Sequence, residues 1–374
     1  MSELRICMRL NNAFTHDRRV RREAEALVEA GHEVTVVADL KGNVPAGESV
    51  AGIRVHRIRK TSRIPYWSII APLRAEAADV YHAHDIDSLF PCLAASRLGS
   101  KRSLVVYDSH ELWSGHARDK VHAKRRVLVR YEGTMLRHAD ALITASPAYT
   151  DEIVSRYRFG GTAMTLLNVP RYWTDEELAW DWGCRDAAGE IRIAAVSVFQ
   201  HGRGAVQLIQ SLAHLPANHV VELIGPIAQP DYEALMRAAA EPFGDRVRFA
   251  GAVPAAEVIP RLAQCHVSTV LIEPLSKSYR LTAPNKLFDS MAAGTPVVAS
   301  DMRMIAQITR ETNIGRICDV SDPADIARAV REVVADLPAL QASARAAATR
   351  YNWDAERSKL VELYADLGKR LRNT

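Results

Sequence analysis

Short apolar runs alternate with amphipathic stretches of helical period along nearly all of the 374-residue chain, and this alternation limits the fold more than any single motif. LRICMRL (4–10) opens the series, a helix is expected from about Arg19 to Ala30, Gly31 stops it, and HEVTVVAD (32–39) follows. IRVHRI, DVYHAH, SLVVYDS and ALITAS continue as strands, with helices such as DSLFPCLAASRLG and the basic stretch 122–138 between them. A second series restarts at IRIAAVSV and runs through VVELIG, VRFAGAV, VSTVLI, PVVAS and GRICDV. Strand–helix repetition of this kind builds α/β domains with mainly parallel sheets.

The expected architecture is therefore two Rossmann-like, doubly wound domains facing a central cleft. The first spans 1–170, the second 191–351, and 171–190 is a linker rich in Trp, acidic residues and turn formers. The segment 352–374 reads as one long helix with Leu360, Leu363, Tyr364 and Leu367 on one stripe, and it completes the first domain. Doubly wound sheets bind ligands beyond the carboxyl ends of their strands, so chemistry is sought there.

Composition removes several classes. With 48% apolar and 25% charged residues the chain is an ordinary globular one, and no apolar run approaches the ~20 residues that span a bilayer. The start, MSELRIC, leads straight into charged segments without a secretory pattern, which predicts a cytosolic protein. Cys7, Cys92, Cys184, Cys265 and Cys318 have no ligand-like spacing and are expected as reduced, buried thiols. The net charge is only +4, but basic residues gather in RRVRREAE (18–25) and HAKRRVLVRYEGTMLRH (122–138). These fit solvated helix faces or a peripheral contact with anionic membrane; without a recognition motif or aromatic platform they do not point to nucleic acid.

Four segments carry chemistry. In APNKLFDSMAAG, Pro284 fits the first position of a helix and Gly294 its stop. Leu287, Phe288, Met291 and Ala292 then share the packed side, while Asn285, Lys286, Asp289 and Ala293 share the other. A lysine at a helix start suits a phosphate and the carboxylate one turn on suits sugar hydroxyls, though a solvated Lys–Asp pair fits the same spacing. In VSVFQHGRGAVQLIQSL, Gly202 and Gly204 would let a ligand approach the backbone, and Arg203 offers five N–H donors. Only G-x-G is present, not the dinucleotide fingerprint.

DVYHAHDIDSLFP ends a strand in His82, His84, Asp85 and Asp87, and SLVVYDSHELW ends another in Asp108, His110 and Glu111. Histidines and carboxylates at strand ends can orient hydroxyls and move protons near neutral pH, or simply be satisfied core residues. The DID triad has a metal-like look, but its position has simpler uses and no metal is expected. At the first strand–helix junction Asn11 and Asn12 are turn formers, Asp17, Arg18 and Arg19 could meet an anionic or hydroxylated ligand, and the absent glycine-rich turn argues against NAD.

Taken together, DRRVRREAEALVEAGHEVTVVA, DVYHAHDIDSLFPCLAASRLG, VVYDSHELW, RGAVQLIQSL, VVELIGP, VRFAGAVPAAEVIPRLAQC and APNKLFDSMAAGTPVVASD resemble the retaining GT-B glycosyltransferases of family 4 (group 1) over nearly the whole chain. The resemblance implies a sugar nucleotide on the C-terminal domain, an acceptor on the N-terminal one, a last helix crossing back to the first domain, and no metal or cofactor. It implies His110, beside the transferred sugar, as a catalytic residue; Asp85 and Glu111 are further catalytic candidates from their strand-end positions. For the donor it implies Arg203, Gly204, Val253, Asn285, Lys286, Leu287 and Asp289, with Arg203 gripping the diphosphate, Asp289 the ribose and the backbone near Val253 the base. For the acceptor it implies Asn12, Asp17, Arg19 and His84. Two departures stand out: Val198 replaces an arginine and Leu281 a glutamate, a gap that Glu273, Asp85 or Glu111 could fill. The expected activity is sugar transfer from a nucleotide diphosphate donor to a hydroxyl of a glycan, lipid-linked or small-molecule acceptor, with retention. A nucleotide-sugar epimerase of the same plan, or a non-catalytic nucleotide-binding scaffold, are the alternatives.

Overall fold

The computed structural model describes residues 3–15, 17–60, 66–99, 101–115, 122–178 and 189–373, without the side chains of 122–125. It divides into two compact units, Met1–Leu167 with Glu356–Thr374, and Asn168–Ala355.

The first unit is built on eight strands: β1 (Arg5–Arg9), β2 (Glu33–Asp39), β3 (Gly47–Val50), β4 (Ile53–Ile58), β5 (Val80–His84), β6 (Leu104–Ser109), β7 (Ala141–Thr144) and β8 (Thr162–Thr165). Their order is β3-β4-β2-β1-β5-β6-β7-β8, parallel except for the β3–β4 pair. Every residue of β5, β6 and β7 is buried, because helices cover both faces of a parallel sheet. The expected strands are all present; β3 and β8, short and poor in large apolar residues, were not legible in the hydrophobic pattern.

Helix Arg18–Glu29 starts where the Asp17 carboxylate accepts the Val20 N–H, and it lays Val20, Glu23, Ala24 and Leu27 on the sheet. Helix Trp353–Arg372 also packs on this unit, burying Leu360, Leu363, Tyr364 and Leu367. Glu356 accepts the Leu167 N–H at 2.9 Å, and Arg357 pairs with Glu29 at 2.7 Å.

The second unit holds β9 (Ile191–Val196), β10 (His219–Ile224), β11 (Val247–Gly251), β12 (Val267–Val270), β13 (Val297–Ser300) and β14 (Gly315–Cys318). Its order is β11-β10-β9-β12-β13-β14, with every pairing parallel. Of the stretch expected as a linker, 171–178 packs here: Arg345 donates to the Trp173 carbonyl at 2.8 Å and pairs with Asp175 at 2.7 Å, while Leu178 is buried against Ile259 and Leu262. Residues 179–188, with Cys184, lie outside the described residues. Cys7, Cys92, Cys265 and Cys318 are free and buried. Among the described residues no helix is long and apolar enough to cross a membrane.

Candidate functional site

In each sheet the strand order reverses at one place, and the crevice there is open to a ligand. In the second unit the reversal lies between β9 and β12. The β9 end leads into Arg203 and the β12 end leads, through 271–284, to helix Asn285–Ala292 with Lys286 in its first turn. The two connections are tied where the Glu273 N–H donates to the Gly202 carbonyl at 3.1 Å.

Neither Arg203 nor Lys286 pairs with a carboxylate among the described residues. Burial, then the charge of Arg203 nearby, pulls Lys286 down to about 7. The Arg203 guanidinium lies over the Tyr279 ring, 5.0 Å from its centroid, and Gln200 donates to the Tyr279 hydroxyl at 3.3 Å. Two recessed cations held without a counter-charge are suited to a multiply charged anion such as a diphosphate.

Several expectations change here. Pro284 is the residue before the helix rather than its first, and Ala293 is buried instead of sharing a ligand face. Leu287 is fully buried and its N–H already donates to the Pro284 carbonyl at 3.0 Å, so its side chain faces the core. Gly202 (φ +87°) and Gly204 (φ +63°) serve the turn: the space a Cβ would need is filled by Leu275 and by Leu271 with Val320, the chain's own residues. The helix after Arg203, Ala205–Gln210, is short, and the Ala205 N–H donates to the Tyr232 hydroxyl at 3.2 Å, so Arg203 itself is the candidate anion-binding group there. Asn285 is exposed, Asp289 is partly buried and partnered, and Val253 leans on the core near Ile259. Val198, in place of an arginine, is 53% exposed.

In the first unit the reversal falls between β1 and β5. Asp85, just after β5, has φ +61° and ψ 169°, a strained backbone for a residue with a side chain. Its Oδ1 accepts the His110 N–H at 3.1 Å and the Trp113 indole N–H at 3.2 Å. The His110 ring lies between two carboxylates, Nε2 2.9 Å from Asp108 Oδ2 and Nδ1 3.5 Å from Asp85 Oδ2. Burial alone would lower the His110 pKa, but Asp108 and Asp85 outweigh it and carry the ring up to about 9.

Beneath lies a fully buried network. Arg19 holds Asp108 with two N–H bonds, at 2.8 and 3.1 Å, and lies 3.0 Å from Glu23. Burial would raise Asp108; the Arg19 and His110 charges hold it well below the usual carboxylate range. His84 Nδ1 is 3.2 Å from Asp108, and the His82 ring stacks on His84 at 4.3 Å. The Tyr364 hydroxyl of the last helix shares a hydrogen bond with His82 Nδ1 at 2.8 Å. Replacing Tyr364 by Phe leaves that nitrogen buried without a partner, and urea unfolding should register a loss of ~1–3 kcal/mol. A change within error of zero would show that the bond contributes nothing.

Arg19 and His84, expected at the acceptor, are 6% and 2% exposed with their donors turned inward, so neither reaches a ligand. Asn12 and Asp17 shape their own loop, Asn12 donating to Asp17 at 2.9 Å and accepting from the Phe14 N–H at 2.8 Å. Glu111 is exposed, and Asp87 accepts from Asn11 at 2.8 Å, turned to a different partner from Asp85. Among the described residues one group, Glu23, His82, His84 and Asp108, gathers metal-type donor atoms within 4.8 Å, but the Arg19 guanidinium already takes a cation's place there. Glu23, Tyr364 and Tyr279 were absent from the expected site, and His82 and Asp108 were expected only as members of the strand-end clusters. The pairing of His84 with Asp108 across β5 and β6 would have joined two of these segments; nothing local marks Tyr364.

Residues 15–167 match the model of the glycosyl transferase 4-like domain, and 190–336 that of the glycosyl transferases group 1. Glycogen synthase of Mycobacterium tuberculosis is 25% identical, covering 93% of this chain and 90% of its own. Sucrose-phosphate synthase from Thermosynechococcus elongatus superimposes with a TM-score of 0.77 at 18% identity, covering 98% of this chain and 99% of its own. Anabaena HepE, solved with UDP-glucose, gives 0.75 at 15% identity over 97% and 100%. With a domain model matched in each half and this fold common to both neighbours, the chain belongs to the group 1 glycosyltransferases and has the GT-B fold.

Proposed function

We propose that the chain transfers a sugar from a nucleotide diphosphate-sugar to a hydroxyl of a glycan, lipid-linked or small-molecule acceptor, with retention and without a metal ion or cofactor. The observation that carries this reading is the pair Arg203 and Lys286, two basic side chains without a carboxylate partner among the described residues, at the strand-order reversal of the second sheet. As the bond from the anomeric carbon to the diphosphate oxygen lengthens, negative charge collects on that oxygen, where the pair stabilises it. The sugar becomes oxocarbenium-like, and the acceptor hydroxyl attacks it as its proton passes to the departing diphosphate oxygen. Asp289 and the backbone near Val253 serve ribose and base, and the first unit contributes His110, Asp85 and Glu111. The bound UDP-glucose of HepE supports this class of donor.

Purified protein given a panel of nucleotide sugars with acceptor candidates should transfer or hydrolyse at least one, equally in EDTA, with the product's anomeric coupling unchanged from the donor's. No turnover across the panel would remove the reading. A peripheral membrane contact is supported by exposed Val127 between exposed Arg126 and Arg130, with Tyr66 and Trp67 also exposed in this unit. Failure to sediment with anionic vesicles at low salt would exclude it.

Binding of a nucleoside diphosphate should also take up protons. Lys286, held at about 7 in the free protein, regains its full charge beside phosphate, so uptake is roughly half a proton at pH 7, rises toward one as pH increases, and vanishes below about pH 6. Calorimetry in buffers of different ionisation enthalpy measures it, and zero uptake at pH 7.5 would rule out contact between Lys286 and the phosphates.

A further inference from the structure

We propose that Asp108 is a positioning residue for His110, holding its ring as a doubly protonated imidazolium and keeping the Nδ1–H available to an incoming oxygen. A neutral ring has one N–H and one lone pair. Here both nitrogens face carboxylates, Asp108 at 2.9 Å and Asp85 at 3.5 Å, so a neutral ring would set its lone pair against one of them. The 3.5 Å contact is too long for a good hydrogen bond, which leaves that N–H free to turn to a ligand. His110 is also 20% exposed at its side chain, whereas Asp108 is completely buried.

Asp108 can play this part because its own charge is fixed. Arg19 takes both of its oxygens and His84 Nδ1 approaches Oδ2, so protonating it would break several charge-assisted bonds. The groups facing the pair come from every element around it: Arg19 and Glu23 on helix Arg18–Glu29 with Asp17 before it, His82, His84 and Asp85 on and after β5, and Tyr364 on the last helix. Apart from Asp17, their charges balance. Burial, with Asp108 beside it, holds Glu23 up to about 8 and hence protonated at neutral pH; burial keeps His82 and His84 neutral. Arg19 and His110 then offset Asp108 and Asp85. His110 is thus a fixed cationic donor near neutral pH and not a base waiting for a proton. What oxygen it meets rests on the sugar-transfer reading; its charge state does not.

The test is nitrogen-resolved NMR titration of the histidine rings in the full, ligand-free chain, with His110 assigned by its loss in His110→Asn. Both His110 nitrogens should stay protonated through pH 8, and Asp108→Asn should lower the ring's midpoint by at least about one unit toward the ordinary ~6.5. A wild-type ring that titrates near 6.5 or below overturns the proposal. Should Asp108→Asn fail to fold, because Arg19 loses its partner, the wild-type titration still decides, and Asp85→Asn should give a smaller downward shift. In turnover assays Asp108→Asn should add a fall in kcat/KM above about pH 7 that the wild type lacks. The expected NMR shift with an unchanged pH profile would uphold the imidazolium and instead count against His110 in sugar transfer.

Discussion

Lys286→Ala should lower kcat/KM for sugar transfer about 10²- to 10³-fold, and Arg203→Ala by a similar factor, while the folded protein stays as stable or becomes more so. Each side chain is a preorganised donor aimed at a charge that grows during bond breaking, and removing one such group typically has an effect of this size. Stability should not suffer because neither cation has a carboxylate partner among the described residues. In the unliganded protein burial and the charge of Arg203 work against the charged form of Lys286, an arrangement that opposes folding and is retained at functional sites. The double variant should lose less than the product of the single factors, since the two act on one diphosphate. Arg203→Lys should recover little, because an ammonium offers neither the stacking on Tyr279 nor the planar fork of N–H donors. Steady-state kinetics with thermal melts of the same samples check all of this; kcat/KM within threefold of wild type in both single variants would refute the assignment of the cation pair.

Gly225→Ala should destabilise the second unit by about 3 kcal/mol or more, the sum of backbone strain and overpacking. At φ +135° this residue occupies backbone space reserved for glycine, and an added Cβ would lie 1.9 Å from the Ser197 carbonyl oxygen. That atom cannot give way cheaply. Ser197 donates its N–H to Ile224 at 3.1 Å, and Gly225 donates to Gly251 at 2.7 Å, so a shift breaks the seams between β9, β10 and β11. It also disturbs the connection that carries Arg203. Gly251→Ala is the control: its φ is +68° but nothing lies within 4 Å of a new Cβ, so only the left-handed backbone penalty of ~1–2 kcal/mol applies. Urea denaturation distinguishes the two, and equal losses would mean the close approach to Ser197 is not real.

Much of the candidate site is legible in the sequence because its residues are local to strand ends or to the helix that follows. Arg203, Lys286, Asp85 and His110 each follow a readable apolar strand, and doubly wound sheets put ligands there. The reading failed where a side chain's direction depended on distant partners. Arg19 looked like an acceptor contact beside a basic surface helix; it is a buried guanidinium bound to Asp108, 89 residues away. Leu287 sits in the same turn as Lys286 but on the side that packs.

By itself the sequence determined the order of strands and helices and the division into two α/β halves, since hydrophobic period and helix punctuation are properties of neighbouring residues. It also singled out Arg203 and Lys286 as candidate phosphate-binding cations. Only the tertiary structure decided which charges are spent inside. Parallel pairing of β5 with β6 sets His84 against Asp108, helix Arg18–Glu29 lowers Arg19 onto that carboxylate, and the last helix brings Tyr364 to His82 across 282 positions of sequence. A buried ionic network exists only once those elements have excluded water, and no window of the sequence contains enough of it to be recognised.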